Sequence, residues 1–413
     1  MPWLLPIAKA GVFVSIGLIL TDILLLYTKG KVVGNRKTME KLSNGDNNTI
    51  HIEIKNSYNL PLYLKIIDEL PFQFQRRDFL LQSFLNPQEK KEIIYTLRPN
   101  KRGEYNFGRL NIFASSVLGL VARRFIFSEN VTIPVYPSFL QLRRYEIMAI
   151  SNRLSEMGIK KIRRLGNNRE FEQIKEYVQG DDVRTINWKA TARRNSLMVN
   201  HYQDERSQQV YSLIDKGRTM KMPFEGLSLL DYAINASLVI SKIAMLKDDK
   251  AGLLTFGHKI DSVLAANKDS MQMNRILEML YLQKTAYKEA NFEKLYLSVK
   301  HKIKQRSLLL LFTNFESLSS VQRQLKFLRK IATQHLLIVI IFENTELQQF
   351  IESPAENLEG IYHQTIAEKL SFEKKLIVKE LQKYGIQAIL TKPEQLTVNT
   401  INKYLEIKAR GML

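Results

Sequence analysis

The spacing of hydrophobic positions changes rhythm three times along the chain, and each rhythm predicts a different kind of element. From Pro2 to Tyr27 apolar residues are nearly continuous, with Lys9 and Asp22 the only formally charged side chains. The core Ala10–Tyr27, AGVFVSIGLILTDILLLY, has eighteen residues. At about 1.5 Å each they span roughly 27 Å, close to a bilayer's hydrocarbon thickness, which predicts a membrane helix. Asp22 then lies roughly 7 to 8 Å from the exit end, a depth at which a carboxylate needs a partner such as another helix. No small-residue cleavage site follows the apolar core and no strongly basic leader precedes it, unlike a cleaved signal peptide.

After a basic and polar linker, residues 31–47, the rhythm becomes period two. Thr49–Ile54 alternates strictly; Pro61–Asp68, Lys91–Leu97 and Val131–Pro137 follow the same pattern, and Arg102–Gly108 reads as a turn feeding a further strand. Short strands with polar turns and no long helix predict a β-sandwich over residues 48–137. From about Tyr211 short, almost wholly apolar runs appear: Val210–Ile214, Ala251–Phe256, Leu308–Phe312, Leu336–Phe342 and a weaker Gln387–Leu390. Helical stretches such as Leu229–Leu246 and Ser320–Ile331 separate them. Strands apolar on both faces and alternating with helices predict a parallel sheet covered on both sides. Such sheets bind ligands at the carboxyl ends of their strands. The expected organisation is a membrane anchor (1–30), the linker (31–47), the sandwich (48–137), a connecting segment (138–206) and an α/β domain (207–413).

Composition adds constraints on partners. The 413 residues are 45% hydrophobic, which fits packed domains. Absence of cysteine excludes disulfides, thiolate chemistry and cysteine zinc sites. The net charge of +20 favours an anionic partner, but the basic residues are spread along the chain and a nucleic-acid partner is not expected. Lys29, Lys31, Arg36, Lys37 and Lys41 follow the apolar segment, against Lys9 and the terminal amine before it. The positive-inside rule therefore places the bulk of the chain in the cytoplasm, behind a single clear span of the inner membrane. A second basic run, Arg143, Arg144, Arg153, Lys160, Lys161, Arg163, Arg164 and Arg169, reads either as a solvated helix face or as a contact for an anionic membrane or protein surface.

The densest pattern runs from Arg169 to Met220: REFEQIKEYVQGDDVRTINWKATARRNSLMVNHYQDERSQQVYSLIDKGRTM. Glu170-Phe171, Glu176-Tyr177, Gly180-Asp181-Asp182 and Trp188-Lys189-Ala190-Thr191-Ala192-Arg193 precede an apolar strand ending in Asp215. The arrangement resembles the domain of unknown function 58 family, in which these blocks precede a von Willebrand factor A-like domain. The resemblance implies the fold class: α/β, with an N-terminal membrane helix, a β-sandwich and a doubly wound parallel-sheet von Willebrand factor A-like domain. It also implies a working partner, since members are commonly associated with MoxR-type AAA+ ATPases. The family often carries two membrane helices as a hairpin, whereas one clear span is seen here.

Within that fold, the loop after the first strand carries Asp-x-Ser-x-Ser, whose oxygens help hold a divalent cation such as Mg²⁺. Here it reads Asp215-Lys216-Gly217-Arg218-Thr219. Asp215 and Thr219 match, Gly217 lacks the hydroxyl, and Asn314 stands where the resemblance places a second aspartate. Thr285 is a loose match to the loop threonine. Lys216 and Arg218 oppose a cation, so a metal-free loop positioning a partner surface is favoured over a degenerate cation site at Asp215, Thr219 and Asn314. In the preceding block, Asp181, Asp182, Arg184, Trp188, Lys189 and Arg193 read first as a structural salt-bridge network with Trp188 as a packing anchor, and next, together with Gly217, as a partner-binding surface. A hydrolase reading uses Glu172, Glu176, Asp181 and Asp182 as acid–base groups beside Arg193, and requires a concave pocket lined by them. The histidines 51, 201, 258, 301, 335 and 363 show no metal-ligand spacing, and neither a P-loop nor a Gly-x-Ser-x-Gly elbow is present. The expectation is a non-enzymatic adaptor working with an ATPase at the bilayer, with an enzyme or an envelope-related scaffold as the alternatives and the oligomeric state open.

Overall fold

A computed structural model describes residues 4–27, 30–76, 79–128, 130–150, 154–159, 169–204, 207–354 and 357–412. The chain divides into two compact units, Met1–Gln141 and Leu142–Leu413.

The first unit begins with helix α1, Leu4–Tyr27, whose segment from Ile7 to Tyr27 is long and apolar enough to cross a membrane. Among its described side chains only Asp22 and Leu26 are buried. The partner of Asp22 is a turn of the β domain, not the second helix that the sequence suggested. Asp22 Oδ1 accepts the Ser116 hydroxyl at 2.5 Å, and Oδ2 accepts the backbone N–H groups of Leu120 at 3.0 Å and Val121 at 2.8 Å. One turn on, the Leu26 carbonyl, left over at the helix end, accepts the Tyr58 hydroxyl at 2.7 Å and Arg123 at 2.6 Å.

The β domain holds β1 (Val32–Lys37), β2 (Leu42–Ser43), β3 (Asn48–Asn56), β4 (Leu62–Asp68), β5 (Leu80–Leu85), β6 (Lys90–Leu97), β7 (Gly103–Phe107), β8 (Leu110–Ser115), β9 (Ala122–Phe127) and β10 (Val131–Tyr136). They form sheets β1-β3-β6, β2-β10-β7 and β5-β4-β8-β9 around one core that includes Ile52, Leu64, Phe107 and Ile112. Residues 31–47 are therefore not a linker. β1 pairs antiparallel with β3 along its whole length and β2 pairs with β10. The inward position Arg36 is polar because it meets Asp68 at 2.5 Å in a buried ion pair, with the Tyr95 hydroxyl donating to the other Asp68 oxygen. On the same strand Gly34 leaves space for the core, since a Cβ there would lie 2.6 Å from Ile112 Cδ1 and 3.0 Å from Phe127 Cδ2 and would push those side chains aside.

The second unit opens with α2 (Phe139–Ile150), which begins at the boundary, then β11 (Arg169–Glu176), α3 (Trp188–Arg194) and β12 (Met198–Asp204). β11 and β12 pair antiparallel as a two-stranded arm whose connection carries α3. A six-stranded sheet follows, built from β13 (Gln209–Asp215), β16 (Lys250–Phe256), β17 (Ile260–Asn267), β18 (Leu308–Phe312), β19 (Leu336–Phe342) and β20 (Gln387–Thr391) in the order β17-β16-β13-β18-β19-β20. All pairings are parallel except β16–β17, so the edge strand β17 departs from the all-parallel expectation. Between β13 and β16 lie the short pair β14 (Pro223–Phe224) and β15 (Leu227–Ser228) and helix α4 (Leu229–Leu246). Helices α5 (Gln272–Tyr281), α6 (Phe292–Lys302), α7 (Leu318–Gln334), α8 (Thr345–Glu352), α9 (Leu358–Lys383) and α10 (Leu396–Ala409) complete the unit.

Alternate residues of each strand feed two cores. Ile214, Leu253, Leu310 and Ile340 pack with α4, α5 and α10; Leu213, Leu254, Leu311 and Ile341 pack with α6, α7 and α9. Helix α4 starts at a reciprocal box between Ser228 and Asp231 and is apolar on most sides because it is buried, not because it crosses a membrane. The strand order reverses on either side of β13, which brings the loops after β13 and β18 together at the carboxyl end of the sheet.

Candidate functional site

Two regions of the second unit carry the predicted residues. At the carboxyl end of the sheet, buried Asp215 ends β13. Its Oδ1 accepts the Gly217 N–H and its Oδ2 accepts the Thr313 hydroxyl, both at 2.7 Å. Burial pushes its carboxyl up to about 6, against the lowering effect of those two donors. Thr219, Thr313 and Asn314 line, with Asp215, an open cavity of about 250 Å³. The sequence-predicted trio is thus brought together.

The donor set nevertheless fits a divalent cation poorly. Such an ion needs several free oxygens, preferably charged. Both Asp215 oxygens are engaged. Asn314 Oδ1 is taken by the ammonium of Lys374, on α9, at 2.6 Å, and the same group donates to the Phe315 carbonyl. Lys374 is thereby desolvated and its amine is pushed down to about 8, with Glu316 opposing the shift. A built-in cation occupies the oxygen that a metal would use.

The positive charges singled out in the sequence act differently from expectation. Lys216 turns to Asp261 at 2.7 Å, and Arg218 approaches Glu316 at 3.5 Å. Gly217 is corrected as a partner-facing residue: it is buried. A Cβ there would stand 3.0 Å from the Ala290 backbone nitrogen and from Asp215 Oδ1, so the serine of the resembled loop would fit only if the loop at Ala290 gave way by a few tenths of an ångström. The covering loop is held by Ala286 N–H to the Lys216 carbonyl at 2.8 Å and Arg218 N–H to the Lys288 carbonyl at 3.1 Å. That loop contributes Glu289 and Ala290 to the cavity; Thr285 is not among its lining residues. Beside it, Asn314 and Lys374 also line a second, mostly apolar cavity of about 200 Å³ with Phe224, Phe342, Leu347 and Leu370.

The second region is the arm. Asp181 accepts the Val178 N–H and pairs with Lys175 at 3.0 Å. Asp182 caps the turn Val183–Thr185 by accepting the Arg184 N–H, and Asn187 caps α3 through Ala190 N–H. These carboxylates organise local backbone and do not line either cavity described above. The side chain of Glu172, the basic residues Arg153, Lys160, Lys161, Arg163 and Arg164, and the side chains of Arg169 and His201 lie outside the described residues. Trp188 is corrected as a packing anchor: it is 69% exposed, beside similarly exposed Val178 and Val183 on the same connection. Arg184, Lys189 and Arg193 are exposed as well. An indole left in water on a short, doubly capped helix is unusual for a residue that serves only its own fold.

Thr313 and Lys374 were missed by sequence reasoning. Thr313 had a signal, standing immediately after a buried strand and before Asn314. Lys374 had none, since it is one of many lysines on the 26-residue α9.

Residues 173–349, from β11 to α8, match the family described as "Protein of unknown function DUF58". The uncharacterized protein YeaD of Bacillus subtilis (strain 168) is 26% identical over 184 residues, 43% of this chain and 45% of that protein. The chain thus spans less than half the length of the curated relative it matches. Among solved structures, native alpha-2-macroglobulin of Escherichia coli is similar over 27% of this chain and 17% of that one, at 16% identity and a TM-score of 0.22. The human CEP192 PapD-like domain is similar over 25% and 83%, at 11% identity and a TM-score of 0.20. Neither the family description nor the relative's name assigns an enzymatic function.

Proposed function

We propose that this chain is a membrane-anchored, cytoplasm-facing adaptor that docks a protein partner through the arm of a von Willebrand factor A-like, doubly wound head. The observation that carries the reading is exposed Trp188, with Val178, Val183, Arg184, Lys189 and Arg193 also exposed along the same β11–β12 connection. Exposed aromatic, aliphatic and arginine side chains on one connection are the composition of an interface centre. The filled oxygen at Asn314 supports a metal-free head, and the docking of Asp22 and Leu26 onto the β domain supports a retained anchor over a removed leader. The resemblance makes a MoxR-type AAA+ ATPase the partner to test. Affinity purification of the full chain from detergent-solubilised membranes is expected to recover an ATPase of that class with the native chain and to lose it with Trp188→Ala. Failure to recover any such ATPase across several detergents and nucleotide states counts against the reading.

A further inference from the structure

Beside the anchor helix, the β8–β9 turn exposes apolar side chains. Val117 is 64%, Leu118 47% and Leu120 51% exposed, on a turn fixed by the Gly119 N–H to the Ser116 carbonyl at 3.2 Å and by Leu118 N–H to the Ser116 hydroxyl at 3.0 Å. Three adjacent aliphatic residues held outward in a well-formed turn need a covering medium. The height of the turn along α1 identifies that medium. Ser116, Leu120 and Val121 all bond Asp22, five residues before Tyr27, and therefore about 7 to 8 Å back along the helix axis. Tyr27, stacked by the Arg123 guanidinium at 4.8 Å, and exposed Lys31 mark the aqueous end, because aromatic and basic residues gather at the lipid headgroups.

We infer that the turn Val117–Leu120 is a second membrane contact, inserted into the headgroup–acyl boundary beside α1. Asp22 is the clamp that holds it there. The inference rests on the reading of α1 as a membrane helix and adds to it. A turn clamped about 7 to 8 Å inside the level of Tyr27 falls within the roughly 5 to 10 Å to which interfacial segments bury their apolar faces. It also accounts for the carboxylate in the apolar core of the helix: the turn's N–H groups and the Ser116 hydroxyl satisfy it and are themselves satisfied. With Asp22 clamped and the Leu26 carbonyl held one turn on, the carboxyl end of α1 cannot swivel freely against the β domain.

The chain has no cysteine, so single cysteines can carry an environment-sensitive fluorophore. Full-length protein is labelled at Leu118→Cys, at Val14→Cys in the middle of α1, and at Arg109→Cys. Arg109 is exposed and precedes β8 at its far end, about 20 Å from the turn at 3.4 Å per residue. Each is reconstituted in mixed phosphatidylcholine–phosphatidylglycerol vesicles carrying a nitroxide close to the acyl carbonyl or deep in the chain. The expected result is blue-shifted emission and preferential shallow quenching at position 118, deep quenching at 14, and neither at 109. Adding Asp22→Leu should release the turn and return position 118 to the response of 109, while 14 stays deeply quenched. Position 118 behaving as 109 in the unaltered clamp, with 14 quenched, overturns the inference and leaves the anchor standing. Loss of quenching at both 118 and 14 overturns the inference and the anchor together.

Discussion

Asp215→Asn tests the claim that the carboxyl-end loop works without a metal. In the folded chain the Asp215 carboxyl titrates at about 6 and not at its ordinary 3.8, because burial disfavours the ion. At 1.36 kcal/mol for each tenfold change, keeping that carboxylate ionised above pH 6 costs about 3 kcal/mol. The sign follows from linkage. The folded value lies above the unfolded one, so the folded state holds the proton more tightly; the group's contribution is most favourable below pH 4 and is lost as pH rises through 6. Asparagine removes the charge and keeps one carbonyl oxygen for either the Gly217 N–H or the Thr313 hydroxyl. Giving up the other hydrogen bond costs about 1 kcal/mol, which leaves the variant about 1 to 2 kcal/mol more stable at pH 7.5. The advantage should shrink toward zero and reverse by pH 4. Thermal unfolding of full-length protein in detergent, with and without Mg²⁺, reads this directly. A variant that is less stable than the native chain at pH 7.5, together with a native chain stabilised by Mg²⁺, would refute the reasoning, because a carboxylate that ligates a metal is favoured in its ionised form.

Other outcomes follow from the same packing. Lys374→Met should stabilise the second unit near neutral pH. Its amine is pushed down to about 8 from 10.5 by burial, so the native chain gains stability between pH 8 and 10.5 as the folded amine gives up its proton first; the variant's unfolding midpoint should lack that rise. Asp68→Ala should destabilise the β domain by about 3 to 5 kcal/mol, since it strands the buried Arg36 guanidinium. Denaturant titration followed through peptides of β1 and β4 by hydrogen exchange checks this, and a loss under about 1 kcal/mol contradicts it.

Much of the second unit's sheet was legible because its strands are apolar on both faces, a pattern that needs cover on both sides. Helix α4 was legible with its bounds, Leu229–Leu246, as a long apolar stretch between two apolar strands. The elements that escaped share a reason: the residue that decides them is paired with something distant in the sequence. β1 reads as a basic linker until Arg36 meets Asp68, 32 residues on. β17, with Asp261 and Ser262 on an exposed edge, and β9, opening Ala-Arg-Arg, lack the clean alternation that marks a half-buried strand. At the site, the resemblance brought Asp215, Thr219 and Asn314 to one place, and the structure puts them there. It could not show that Lys374 from α9 fills the gap, nor that the loop closing at Ala290 leaves little space for a side chain at Gly217. Trp188 was read first as a packing anchor, and only next as partner-facing, because a lone aromatic among alternating charges carries no periodicity from which to read its face.

The adaptor reading is tested most directly at Trp188 itself. A photo-crosslinking amino acid placed at that position in the full chain, in native membranes, is expected to give a discrete adduct whose partner is a AAA+ ATPase subunit. The same group at exposed Lys302 on α6 should give none. Trp188→Ala should leave the protein's own unfolding within about 0.5 kcal/mol while weakening the complex by about 2 kcal/mol or more. An adduct-free chain at position 188, or a Trp188→Ala protein that binds as tightly as the native chain, contradicts the account.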